Sequence, residues 1–166
     1  MKWVNHRLVS GVLVYAATED PLLAVCAAVG AVIPDKVEGY PLKNYKRWKK
    51  RHRGWSHAPL LYLALIAAVY FISEKGFIPV DVTLPANMGM AFLTGAVLHI
   101  AEDALCGKVP LIYPGRKYGM TLFKVDSAGE YLFSAAVVLA VLLLKFDAVA
   151  QIFSAAAKKI GDIPLL

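Results

Sequence analysis

The stretch Leu8–Asp35, LVSGVLVYAATEDPLLAVCAAVGAVIPD, decides how the chain folds, because Glu19-Asp20-Pro21 interrupts its apolar run near the middle. As one continuous helix it would hold two carboxylates near the centre of a bilayer, at a cost of about 2.5–3.5 kcal/mol each. As two shorter helices joined by a turn, it places those carboxylates at the tip and Pro21 at a helix start, where its missing N–H costs nothing. The second reading is cheaper and predicts an N-terminal helical hairpin, re-entrant or leaning against other helices.

The rest of the chain reads as membrane protein. Apolar residues make up 58% and charged residues 18%, with a mean hydropathy of +0.56. Soluble domains average roughly 45–50% and about 25%. A soluble all-helical bundle with an unusually apolar core is the lesser alternative. The length of 166 residues suits one domain, 1–166. The opening MKWVNHRLVSGVLVYAA superficially resembles a signal peptide but lacks a small-x-small cleavage site, so it is read as structure. Cys26 and Cys106 lie in apolar surroundings and form neither a CxxC pair nor a disulfide framework.

Three runs are spanning-helix candidates, Ala58 to Ser73, Leu84 to Ala101 and Tyr131 to about Phe146. Gly89 and Gly95 in the second suit close helix packing. Between the hairpin and the first span, Lys36 to Arg53 carries eight Lys or Arg against one Glu, so this loop is expected to stay cytoplasmic. The expected fold is therefore all-α, a polytopic membrane bundle of three full spans plus the hairpin, with loops at the cytoplasmic face.

That topology draws the histidines together. His6, His52, His57 and His99 all fall at cytoplasmic ends of apolar segments, and Asp35 and Asp103 fall at the same level. Imidazoles with carboxylates form the usual ligand set for zinc and for manganese or iron. His99 and Asp103 are four residues apart and share a helix face. His52 and His57 flank Arg53-Gly54-Trp55-Ser56, where Gly54 permits a sharp turn and Ser56 is the expected N-cap of the next helix, with Pro59 in its first turn. A single span through Leu8 to Ile33 would hold His6 and Asp35 roughly 35–40 Å apart, so a shared site requires the hairpin. Six candidate ligands result: His6, Asp35, His52, His57, His99 and Asp103, for one or two divalent ions, zinc first. Glu102 is the candidate general base, and Arg53 the candidate cation for charge developing on a phosphate. The competing reading of HRGWSH is an interfacial belt with wetted histidines.

The combination of His6-Arg7, Pro34-Asp35, His52-Arg53-Gly54-Trp55-Ser56-His57, Gly95-x-x-x-His99-x-x-x-Asp103 and Tyr113-Pro114 resembles the YdjM-type family. Those are bacterial inner-membrane proteins described as LexA-regulated, membrane-bound metal-dependent hydrolases, with a looser fold relation to zinc-dependent phospholipases C. The resemblance runs from His6 to about Glu130 and implies a metal site in a multi-pass inner-membrane protein. This chain departs from the family pattern at Val37, Ala58 and Cys106. The second acid the family often carries two positions after the Pro-Asp aspartate is absent, and Glu38 is the nearest replacement.

The leading expectation is a membrane-bound metal-dependent hydrolase acting on a phospholipid or another phosphodiester. The alternative is a non-enzymatic membrane protein with a structural metal site or a pH-sensitive histidine cluster. Metal transport ranks last, because the spans at Ala58 to Ser73 and Tyr131 to Leu144 offer no polar path. The expected partners are membrane lipids of the anionic cytoplasmic leaflet, attracted by KNYKRWKKRHR (Lys43 to Arg53), rather than nucleic acid. Arg116 and Lys117 are further candidates for holding a phosphate, and Glu130 for facing the site.

Overall fold

The computed structural model describes residues 1–39, 53–75, 81–112 and 115–147, together with 151 and 154. The elements are α1 (Trp3–Thr18), α2 (Pro21–Gly30), a short α3 (Ile33–Glu38), a 3₁₀ turn (Trp55–His57), α4 (Pro59–Glu74), α5 (Thr83–Cys106), strands β1 (Val109–Pro110) and β2 (Lys117–Tyr118), and α6 (Ala128–Leu144). The fold is mostly helical, as the composition predicts.

The N-terminal apolar run is two helices. Glu19 takes a left-handed φ of 55° and its N–H bonds back to Tyr15, which ends α1. Asp20 starts α2 as its N-cap, its Oδ1 accepting from the Leu22 and Leu23 amides at 2.8 and 3.3 Å, and Pro21 occupies the first helical position. The two helices pack together, with Val14 and Ala27 in one buried cluster and Gly11 facing Ala24 and Ala28.

Helix α5 is the spine, in contact with α1, α2 and α4. Its contact with α2 is backbone on backbone. A Cβ on Gly30 would lie 1.8 Å from the Phe92 carbonyl oxygen, and one on Gly95 would lie 2.0 Å from that of Ala27. Small residues that let helix axes approach this closely are the main route to association where lipid removes the hydrophobic incentive. Gly89, the other glycine marked in the sequence, meets nothing within 4 Å. On the far side of α5, Tyr62 of α4 packs with Ala96, Ile100 and Val109.

Among the described residues, α5 alone is long and apolar enough to cross a bilayer, at 24 residues. Helices α4 and α6 are apolar but have 16 and 17 residues. At 1.5 Å per residue each reaches only about 24–26 Å of a hydrocarbon core about 30 Å thick. Of the three expected full spans, the structure supplies one of full length. Helix α4 still turns Leu60, Leu61, Leu63, Leu65, Phe71 and Ile72 outward and buries only Tyr62.

After α5 the chain makes a small antiparallel hairpin, β1 to β2, and returns to the helix it left. The Met120 and Leu122 amides donate to the Ala104 and Leu105 carbonyls at 2.8 and 2.7 Å, satisfying groups that the end of a helix leaves open.

Gly30→Ala and Gly95→Ala should each destabilise the detergent-solubilised protein by about 1–3 kcal/mol, because backbone must move to admit the methyl group. Gly89→Ala should leave the thermal midpoint unchanged. A circular-dichroism melt of the three variants checks this.

Candidate metal centre

At one end of the bundle, α1 begins, α5 ends, α3 follows α2, and the 3₁₀ turn leads into α4. These elements bring His6, Asp35, His57, His99 and Asp103 together. The three imidazoles are fully buried, and the Asp103 side chain is 3% exposed against 18% for Asp35.

Two overlapping groups could hold a metal ion, Asp35–His57–His99 and His6–His99–Asp103. In the first, His57 Nε2 lies 3.3 Å from Asp35 Oδ1 and 3.3 Å from His99 Nε2, and His99 Nε2 lies 3.7 Å from Asp35 Oδ1. Donors bound to zinc at about 2.0–2.2 Å in a tetrahedron sit roughly 3.3–3.6 Å apart, so this triangle has a suitable size and leaves one position open. Asp103 Oδ2 lies 3.6 Å from His57 Nε2 and 3.8 Å from His99 Nε2. In the second group, His6 Nε2 lies 3.4 Å from Asp103 Oδ1, and the His6 and His99 rings stack at 3.9 Å.

The hydrogen bonding fits a cation at this position. Among the described residues, His6 Nε2 and Asp35 Oδ1 are buried without a hydrogen-bond partner, and both point into the cluster. Their opposite atoms are held from behind. His6 Nδ1 meets Glu102 Oε2 at 2.6 Å, and Ser10 donates to Glu102 Oε1 at 2.9 Å. His57 Nδ1 has Ser56 Oγ at 2.9 Å and Glu38 Oε1 at 3.3 Å. The Trp3 indole donates to Asp35 Oδ2 at 2.7 Å. A carboxylate behind Nδ1 fixes the tautomer that leaves Nε2 free to ligate.

Glu38 also builds the loop that carries His57. It accepts from the Arg53 amide at 3.1 Å, the Gly54 amide at 2.9 Å and the Ser56 hydroxyl at 2.7 Å. Two sequence expectations are corrected here. Ser56 does not cap the next helix; its hydroxyl is committed to Glu38, and Ala58 is the N-cap, with no side-chain bond, ahead of Pro59. The left-handed residue is Arg53, at φ 60°, while Gly54 has φ −92°. Arg53 is held there because its amide binds Glu38 and its Nε lies 2.8 Å from Asp103 Oδ2. Gly107 makes room for the guanidinium, since a Cβ there would come within 2.3 Å of Arg53 Nη1.

Burial pushes the Asp35 carboxyl upward, but the close approach of His57, the field of His99 and the Trp3 bond outweigh it and bring its pKa down to about 2. Burial likewise lowers His57, and Asp35 and Glu38 outweigh it, leaving the imidazole above its ordinary value.

Glu102, the candidate base, has both oxygens engaged behind His6. Glu130 is fully buried yet stands apart from both groups. It accepts from the Asn5 side chain, from the Lys2 amide at 2.6 Å and from the Asp126 amide at 2.8 Å, and so ties α6 to the start of α1. His52, the rest of Lys43 to His52, and Tyr113-Pro114 lie outside the described residues. Sequence reasoning missed Trp3 and Ser10. Ser10 was findable, being one helical turn from His6 on the same face, whereas nothing local marks Trp3.

The structure thus gathers buried histidines and carboxylates at one end of a bundle of apolar helices. The YdjM inner membrane protein model matches residues 1–158, and the chain belongs to that family. No curated protein and no solved structure matches it.

Glu38→Ala strands two backbone amides and the Ser56 hydroxyl and should cost about 1–3 kcal/mol of stability. Ser56→Ala removes one donor and should cost less, an ordering that paired thermal melts would reveal.

Proposed function

We propose that the chain is a membrane-bound metal-dependent hydrolase whose site lies at the cytoplasmic membrane face, acting on a phospholipid or another phosphodiester. The observation that carries the reading is the convergence of Asp35, His57 and His99 at ligand-to-ligand spacing, with Asp35 Oδ1 buried and unpartnered. In this reading α4, α5 and α6 all span, α4 and α6 with thinning of the bilayer around them, and α1–α2 form a hairpin within it.

Asp35, His57 and His99 would hold the ion and leave its fourth position to water, with His6 and Asp103 serving a second ion. Bound zinc, manganese or iron would supply Lewis acidity and acidify water. Arg53, with its side chain 16% exposed, lies beside Asp103 at the open edge of the cluster and is placed to meet an anionic oxygen. Glu102 acts through His6, holding the imidazole in position.

A structural metal site is the second reading, and the complete burial of His6, His57 and His99 favours it. Elemental analysis after gentle detergent purification should find about one or two equivalents of divalent metal, lost in His57→Ala and His99→Ala; metal-free protein would exclude both readings. A phosphodiester and phospholipid panel then separates them. Hydrolysis that falls at least about ten-fold in Glu102→Gln with metal retained supports the enzyme, and no turnover by the metal-loaded protein supports the structural site.

Metal retention should also depend on pH. His57 must be neutral to ligate, and its raised pKa brings proton competition at a higher pH than an ordinary imidazole would. Occupancy should decline as pH falls from about 8 to about 5, followed by dialysis and elemental analysis.

A further inference from the structure

The segment between α5 and α6 carries an exposed apolar surface that neither the bundle nor the polar cluster uses. Ile112 is 73% exposed, Met120 69% and Leu122 65%, with Leu111, Tyr118 and Val125 also exposed. Six large exposed apolar side chains on one short segment point to a contact surface. The backbone beneath it is pinned. Met120 and Leu122 donate to the last turn of α5, Val109 pairs with Tyr118, and Gly119 packs so closely on Gly107 that a Cβ would lie 1.6 Å from its carbonyl oxygen. The backbone under Tyr118, Met120 and Leu122 is therefore tied to the end of α5 and to β1.

Charge on the same segment selects the occupant. Residues 107–127 contain Lys108, Arg116, Lys117 and Lys124 against a single acid, Asp126. That acid is already paired with Lys2 at 3.0 Å. Lys108, Arg116 and Lys124 are exposed beside the apolar side chains. Apolar groups that enter the headgroup boundary, flanked by cations that meet anionic headgroups, form the pattern of an interfacial membrane anchor. Both ends of the segment run into apolar helices, α5 and α6, so a bilayer surface lies within reach.

We propose that the β1–β2 hairpin and the arm through Val125 form an interfacial foot, seating Ile112, Met120 and Leu122 in the headgroup region of an anionic leaflet. This contact does not depend on turnover or on metal. It anchors the end of α5 that carries His99 and Asp103 at a set depth.

The test uses the full chain with Cys26→Ala and Cys106→Ala, and single cysteines introduced as Ile112→Cys, Met120→Cys or Leu122→Cys. Each is labelled with an environment-sensitive fluorophore and reconstituted in vesicles of phosphatidylglycerol and phosphatidylcholine. Variants that keep the parent elution volume are read, and three positions guard against one failing to fold. Shallow nitroxide-labelled lipid should quench these labels roughly two-fold or more, and iodide should reach them poorly. Lys108→Glu with Lys124→Glu should reduce the lipid quenching. Labels open to iodide and untouched by lipid nitroxide would overturn the proposal. So would shielding from iodide that persists in detergent without lipid, which would mean a protein surface covers the segment, and so would quenching indifferent to the charge reversal.

Discussion

The contact on which the rest depends is the backbone approach of α2 to α5 at Gly30 and Gly95. Gly95 is one helical turn before His99, and Gly30 is five residues before Asp35. Fixing those two glycines against the opposing carbonyls therefore sets the 3.7 Å separation of His99 Nε2 from Asp35 Oδ1. A methyl group at either position would move two ligands together with two helices. Close packing and site geometry are here one constraint, which explains why a small residue stands where a larger one would bury more surface.

The second demand is to keep ionisable groups buried. His6, His57, His99, Glu102, Asp103 and Glu130 are nearly or wholly out of solvent, in a bundle whose outside is apolar. Unpaired charges there would cost several kcal/mol each. The fold answers with pairing in depth: Glu102 behind His6, Glu38 behind His57, Trp3 behind Asp35 and Arg53 beside Asp103. Among the described residues, the buried atoms left without a hydrogen bond include Asp35 Oδ1 and His6 Nε2, where a cation would complete the arrangement, and also His99 Nδ1 and the Tyr15 hydroxyl.

Much of this was legible in one dimension. Asp20-Pro21 announces a helix start because both residues act locally, one through its side-chain oxygen and the other through its fixed φ. His99 and Asp103 share a face because helix periodicity alone puts them there. Gly54 and Ser56 were misread for the opposite reason. Glu38, from another element, claims the serine hydroxyl and two loop amides, and in doing so places the left-handed turn on Arg53. The shortness of α4 and α6 escaped hydropathy, which measures apolar character and not where the last helical hydrogen bond falls.

The sequence by itself determined the helical class, the break at Glu19-Asp20, the membrane-type exterior and the residue types of the polar cluster, because each follows from local preference or hydropathy. Only the tertiary structure decided which carboxylate faces which imidazole. Glu102 and Asp103 are adjacent in sequence, yet one lies behind His6 and the other faces His57, His99 and Arg53. Successive residues on a helix point about 100° apart, and what each direction meets depends on packing from distant parts of the chain.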